Sequence, residues 1–262
     1  MEAFIREHSL FLAYWSAVIL LCTIEALAPQ LPDDADRSRR WFTNFGLGLL
    51  NGLIASAVPA VTVASAWWAH ESNFGLLNVL ATPWSVALIL TVLVRSLAQY
   101  AFHVLSHKVP LLWRLHRVHH SDVHLDVSTA LRNHPLEMIA NVIFIAVVIA
   151  LFGLSPVVLV AFEAADLFAN ILTHANLRIP NAVERLLRLL FVTPVLHRLH
   201  HSPLQIETDS NYGNLFSIWD RAFGTYRGET IRSGPVPRFG LDDVSNESAG
   251  DLQAQLALPW SH

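Results

Sequence analysis

Ten of the fourteen histidines fall into a few tight groups. LHRVHHS carries His116, His119 and His120, and LHRLHHS repeats the pattern with His197, His200 and His201. HVLSH supplies His103 and His107, and His134 and His174 lie between the two repeats. On an α-helix, residues four apart project from one face, about one turn apart. His103 and His107 can therefore grip one ion, or one each of two neighbouring ions. In His-x-x-His-His, positions i and i+3 face one way and i+4 lies just beside them. Adjacent histidines diverge by about 100° around the axis, so one motif can serve two ions. Both motifs with His103, His107 and His174 make nine ligands, and His134 would make ten. That is too many for one tetrahedral zinc and suits two metals of higher coordination.

Imidazole donors suit zinc, copper, iron or nickel, so spacing alone does not choose the metal. There is no HExxH of the zinc proteases and no Glu-x-x-His pair of the soluble di-iron bundles. A single cysteine, Cys22, excludes cysteine-based zinc ribbons and iron–sulfur clusters. Ligating imidazoles need partners that orient them, and the candidates are Asp122, Asp126, Glu137, Asp166, Asn170, Asn176 and Asp209. His134 has a second reading, because HPLE also suits a helix entry with Pro135 in the first turn. His8, His70 and His262 read as structural or interfacial, and His124 is left unassigned.

The frame that must position these residues is a membrane frame. The apolar fraction is 53% and only 15% of residues are charged, with a mean hydropathy of +0.41. Eight Trp and fourteen Phe suit aromatic belts at a bilayer interface. A net charge of −4 gives no basic footprint for nucleic acid. Apolar runs at 9–28, 44–69 and 76–101 have the length of membrane spans. The first lacks a basic n-region or a small-residue cleavage site before it, so it is expected to be retained. Residues 136–152 and 157–172, split by GLSP, form a helical hairpin whose arms are short enough to be shallow or re-entrant.

An amphipathic surface helix is expected over 181–195, and a polar, loosely ordered tail over 228–262. The fold class is therefore an all-α integral membrane bundle of about four spanning helices with a histidine-rich helical cap. The parts are an N-terminal membrane region (1–101), a catalytic region (102–227) containing the hairpin at 136–172, and the tail. Arg37, Arg39 and Arg40 follow the first span, and the positive-inside rule places them, and with them the histidines, at the cytoplasmic face. Arg95 stands one turn before Gln99 in the third span. It either faces the bundle interior or snorkels to a lipid phosphate.

At HVLSH, LHRVHHS, STALRNHPLE, THAN, LHRLHHS and NYGNLFSIWDRAFGTY the chain resembles the fatty acid hydroxylase/sterol desaturase superfamily, including its alkylglycerol monooxygenase branch. The resemblance covers roughly residues 90–227; the first ninety match only as generic spans. It implies two irons, dioxygen activation and hydroxylation or desaturation of an unactivated C–H bond of a lipid. The class is broad, embracing sterol, fatty acyl, ether lipid or carotenoid. Carried over by motif, the ligands are His103, His107, His116, His119, His120, His174, His197, His200 and His201. Some members have a further histidine one turn before the equivalent of His174. Here that position is Asn170, which leaves His134 as the local candidate to complete the set. Zinc is compatible with the same donors in purified protein. No fused haem or flavin motif is visible, so electrons are expected from a separate donor, such as a cytochrome b5-like protein, a ferredoxin or a reductase. In NYGNLFSIWDRAFGTY, Trp219, Phe223 and Tyr226 form a packing face and Asp220 pairs with Arg221. The rivals are a histidine-rich membrane metal-binding protein or transporter, a bis-histidine haem carrier, and a metal-dependent lipid hydrolase.

Overall fold

Proline decides where the helices that carry the histidines begin. Its ring presets the helical φ, and its missing N–H falls where no intrahelical partner exists. A computed structural model of the protein describes residues 9–32, 36–230 and 238–261, without the side chains of 9–11, 53 and 55–59. His8 and His262 lie outside the described residues. In chain order come α1 (Ser9–Leu27), α2 (Arg37–Glu71), the single turn α3 (Leu76–Val79) and α4 (Trp84–Lys108). Then follow α5 (Pro110–His120), a 3-10 turn (Val127–Leu131), α6 (Pro135–Phe152) and α7 (Pro156–His174). The short helices α8 (Asn181–Leu187), α9 (Pro194–His200), α10 (Gln205–Thr208) and α11 (Ile218–Phe223) complete the cap. The tail adds α12 (Asn246–Ala249), α13 (Leu252–Ala257) and a 3-10 turn (Leu258–Trp260). Among the described residues there is no strand, only the bridges Pro29–Leu177 and Phe191–Phe216.

Among the described residues three helices, α4, α6 and α7, are long and apolar enough to cross a membrane. At about 1.5 Å per residue, even the 18 residues of α6 reach roughly 27 Å. That approaches the ~30 Å hydrocarbon core, so length does not make the hairpin shallow. Ile143, Val147 and Val157 are exposed on its outer face, where a soluble protein would carry polar groups. The bundle is closed away from the histidines by Ala66, Ala98, Ile145, Ile149, Leu154 and Leu159. Gly153 ends α6 in the left-handed region (φ 65°). Gly75 (φ 90°, ψ 153°) packs its backbone on that turn, and a Cβ there would lie 2.4 Å from Gly153 N.

Four boundaries differ from the sequence expectation. The third apolar run is broken: Ala81 turns with φ 47°, and Pro83 caps a new helix that begins at Trp84 and continues through His103 and His107. α2 begins at Arg37 rather than at residue 44, so the arginines form its first turn. The helix expected over 181–195 ends at Leu187, and Thr193 caps a separate α9 through its Oγ1. The tail is packed where it is described. Val244, Ala249 and Leu258 are buried against Leu47 and Val118, because this segment covers an apolar face of α5.

Gly75→Ala tests the backbone contact that closes the bundle. The φ/ψ strain alone costs about 1–3 kcal/mol, and the clash adds to it. A clear fall in the detergent-solubilised melting temperature is expected. Gly52→Ala, where an added Cβ meets nothing within 4 Å, should hold or raise it, because alanine is the better helix former.

Candidate metal centre

α4 and α5 are joined by Val109 alone, so the last turns of α4 face α5. α7 delivers His174 in its final turn, and α9 brings the second motif across from them. The nine histidines meet in two groups, His103, His107, His116, His120 and His200 in one, and His119, His174, His197 and His201 in the other. One nitrogen from each lies within 4.8 Å of the others in its group. The two motifs exchange roles. The first gives its i and i+4 histidines to the five-membered group and its i+3 to the four-membered one; the second does the reverse. Sequence reasoning paired i with i+3; the structure pairs i with i+4. The groups touch, with the His120 and His201 rings stacked at 4.5 Å.

Hydrogen bonds aim the rings. Nδ1–H of His103 donates to the Tyr212 carbonyl (2.7 Å), His200 to Ser210 (2.8 Å), His119 to Arg132 (3.1 Å) and His174 to Asn170 (2.6 Å). His116 Nδ1 donates to Glu137 Oε1 at 2.6 Å. Each bond leaves Nε2 as the lone-pair atom pointing inward. Nε2 of His116 lies 3.1 Å from that of His103 and 3.2 Å from that of His120. In the other group the Nε2 separations are 3.1 Å (His119–His174), 2.9 Å (His174–His197) and 3.2 Å (His197–His201). Neighbouring ligands about 2.1 Å from a shared ion sit roughly 3 Å apart. His200 Nε2 and both ring nitrogens of His107 are buried without a hydrogen-bond partner. Convergent imidazole nitrogens at this spacing, some with no other partner, are what a metal ligand set presents, so the donor set fits two metals.

Burial disfavours the charged form of five of these imidazoles. His119, His120, His197 and His201 are held well below the ordinary histidine value, first by desolvation and then by neighbouring imidazoles. His200 is brought down to about 3 by burial and then by His116. Neutral imidazole is the ligating form. The scaffold behind them is ionic. Fully buried Arg132 donates to the carbonyls of Val118 (2.8 Å) and Ala249 (2.7 Å), to Asn44 Oδ1 (2.8 Å) and to Ser121 Oγ (2.9 Å). Burial pulls its guanidinium down to about 10, still cationic at neutral pH. Arg40 of α2 pairs with Asp122 (3.1 Å) and with Asp126. Burial pushes Asp126 up, but Arg40 overrides it and holds that carboxyl at about 2.

Several expected residues do other work. His134 joins neither group: it caps α6, with Nδ1 accepting from Leu136 N–H (3.2 Å) and Nε2 donating to the Leu256 carbonyl (3.3 Å). The helix-entry reading of HPLE is the one the structure follows. Among the described residues Asp122 hydrogen-bonds no imidazole; it takes Arg40, Asn44 and Thr129. Asn170 acts through its carbonyl, and its side chain reaches Ala130. Asn176 clamps Leu31 and donates its N–H to Glu25. Asp126 is taken by Arg40 and Asp166 by Asn214, while Asp209 Oδ1 stands 3.7 Å from His107 Nδ1. Asp220 does not pair with Arg221: it accepts the N–H groups of Tyr212 (2.7 Å) and Gly213 (2.9 Å), and Arg221 lies over Tyr226. His70 and His124 lie outside both groups.

A cavity of about 250 Å³ opens beside the histidines, between α4, α6 and α7. Arg95, 4% exposed, faces this interior and binds Glu163 through two bonds of 2.8 and 2.9 Å. That settles its orientation against the snorkelling alternative.

Comparison with known proteins agrees with this geometry. The family model described as "Fatty acid hydroxylase" matches residues 88–225. The chain is 28% identical to the ornithine lipid hydroxylase OlsE of Rhizobium tropici over 259 residues, 95% of this chain and 74% of that protein. It is 31% identical to the alkylglycerol monooxygenase of Homo sapiens over 189 residues, covering 71% of this chain and 40% of the relative. Mus musculus cholesterol 25-hydroxylase is 28% identical over 143 residues, 53% of this chain and 44% of its own. The chain thus spans well under two thirds of the last two. No solved structure matches it.

Metal analysis of purified variants checks the assignment. Glu137→Ala is expected to weaken metal binding about 10- to 100-fold by releasing His116. His134→Ala should leave the metal content unchanged. Metal loss on His134→Ala equal to that on His120→Ala would return His134 to the ligand set.

Proposed function

The chain belongs to the fatty acid hydroxylase family, and from that premise we propose that it is a multi-pass membrane oxygenase that hydroxylates a lipid at a non-haem di-iron centre. The observation that carries this is the pair of convergent, buried imidazole groups with their Nε2 atoms about 3 Å apart. His103, His107, His116, His120 and His200 would hold one iron, and His119, His174, His197 and His201 the other. Bound iron supplies the activation of dioxygen that no side chain here can provide. The curated relatives are named for hydroxylation or monooxygenation of an ornithine lipid, alkylglycerols and cholesterol, and a membrane lipid is the class they share.

The chain's own residues do the rest. Carbonyls of Tyr212, Ser210, Arg132 and Asn170 hold the Nδ1 protons, and Glu137 Oε1 holds that of His116. The cap packs bulk water away from the imidazoles, and the cavity between α4, α6 and α7 brings a substrate C–H bond to their open side. Hydroxylation consumes one dioxygen, two electrons and two protons, leaving C–OH and one water. We assign the electrons to a separate protein of the cytochrome b5, ferredoxin or reductase type. We place the site at the cytoplasmic face, since the arginine-bearing start of α2 is tied by Arg40 to Asp122 at the histidine end of the bundle.

The test is iron-loaded protein in lipid nanodiscs, supplied with a ferredoxin and its reductase and isotopically labelled dioxygen, with lipids read by mass spectrometry. One labelled oxygen in a lipid product, abolished by His120→Ala and by His200→Ala, is the expected result. Label absent from every lipid, or incorporation untouched by those substitutions, contradicts the reading.

A further inference from the structure

Among the described residues, two aromatic side chains other than imidazole lie against the ligand rings, and both lie on the same group. Trp113 has its ring centroid 5.2 Å from that of His107, 5.6 Å from His120 and 6.4 Å from His116. Tyr212 stands edge-on to His103 (5.6 Å), His107 (5.0 Å) and His200 (5.6 Å). Those histidines are the five-membered group. The rings of His119, His174, His197 and His201 meet only other imidazoles among the described residues. The two groups are therefore unequal in what joins them to the rest of the protein. Electron transfer weakens steeply with distance and with every gap in the packing, so rings in this position mark where electrons can enter.

Of the two, only Trp113 leads straight to water. It is half-buried on α5, so a single ring spans from the imidazoles to the surface. Tyr212 is buried, and its way out runs through Tyr100 (6.2 Å) to Phe223 (5.5 Å). Phe223 is exposed, but it packs beside Trp219, whose Nε1 donates to Ser96 Oγ at 3.0 Å. Ser96 precedes His103 by two turns of α4, about 10 Å down the helix toward the bilayer. A water-borne protein cannot reach that flank. Trp113 is the shorter and the wetter route.

The surface around Trp113 is built like a protein interface. Pro110, Arg114 and Arg117 share the outer side of α5 with it at helical spacing. Lys108 closes α4 beside them, and Leu111 is exposed at the corner. Lys108 pairs with Asp209 (2.7 Å) and Arg117 with Asp243. Exposed Arg114 has no carboxylate within ion-pair distance among the described residues, which leaves the corner cationic. An apolar centre with a charged rim of one sign suits a partner carrying the opposite charge.

We propose that a small one-electron carrier protein with an acidic face docks on this corner of α4 and α5, and that Trp113 bridges its cofactor to the five-histidine group. This rests on the di-iron oxygenase reading above and names the place where its electrons enter. Each encounter oxidises the carrier by one electron and reduces one ferric ion to ferrous; no bond forms or breaks. The stacked rings of His120 and His201 (4.5 Å) join the two groups, so two encounters supply the two electrons of one hydroxylation. Trp113 stays neutral throughout and serves as a bridge.

Oxygen-free stopped-flow mixing of a reduced carrier with the ferric, full-length protein in nanodiscs follows the electron without turnover. The probes are the soluble haem domain of a cytochrome b5 and a plant-type 2Fe–2S ferredoxin, chosen for their acidic surfaces. At low ionic strength Arg114→Glu should slow association about tenfold, and added salt should erase the difference. Trp113→Leu should leave the carrier's affinity for metal-free protein unchanged and cut the limiting rate within the complex several-fold. Trp113→Phe, which keeps a ring in place, should recover much of that rate. Equal iron content and equal reduction by dithionite show that the variants are folded and loaded. Either Arg114→Glu or Trp113→Leu without effect on its rate overturns the proposal, as does a protein that dithionite reduces and neither carrier does. A carrier that binds metal-free protein through Arg114, on a chain whose metals take no electrons even from dithionite, supports the docking face and removes the oxygenase reading instead.

Discussion

The structure depends on hydrogen bonds from imidazole Nδ1 to fixed oxygen acceptors. Nine imidazoles packed ring against ring in a dry interior have no use unless every one is neutral and correctly turned. Burial disfavours the charged form, and for five of the nine an oxygen acceptor on Nδ1 selects the tautomer and leaves Nε2 as the lone pair facing its group. Tyr212, Ser210, Arg132 and Asn170 supply carbonyls, and Glu137 supplies a carboxylate for His116. The aim of the rings is thus built into backbone position. That makes the local folds around these residues part of the site.

Each acceptor is pinned in turn. Arg132 offers its carbonyl to His119 while its guanidinium ties together α5, α2 and the tail. Asp220 gathers the N–H groups of Tyr212 and Gly213, fixing the loop whose carbonyl receives His103. Arg40, Asp122 and Asp126 lock the start of α2 to the segment after α5. In a low-dielectric interior such networks are costly when half-satisfied and rigid when complete. The opposite end of the bundle is apolar and closed by the Gly75–Gly153 backbone contact. The polar work is therefore confined to one end.

Much of this was legible in the chain because histidine spacing on helices leaves a direct trace. The nine grouped residues, the hairpin around Gly153 and the membrane character all follow from period and composition. The rest escaped for physical reasons. A carbonyl acceptor has no side-chain signature, so Tyr212, Ser210 and Arg132 could not be found as orienting groups. Acidic residues near the motifs looked like imidazole partners, yet Asp122 and Asp126 were claimed by Arg40, a partner some eighty residues away. His134 had a local use that outweighed its type, since a residue before proline at a helix start is well placed to cap it. The tail looked loose because its buried contacts, Gln255 to Ser121 among them, lie far off in sequence.

The central claim is that two separate ions are held by the two histidine groups. Anomalous scattering at the iron edge, from crystals of iron-loaded protein grown without oxygen, addresses it most directly. Two peaks are expected, one among His103, His107, His116, His120 and His200 and one among His119, His174, His197 and His201. A single peak, or a peak at His134 in place of either, would contradict the account.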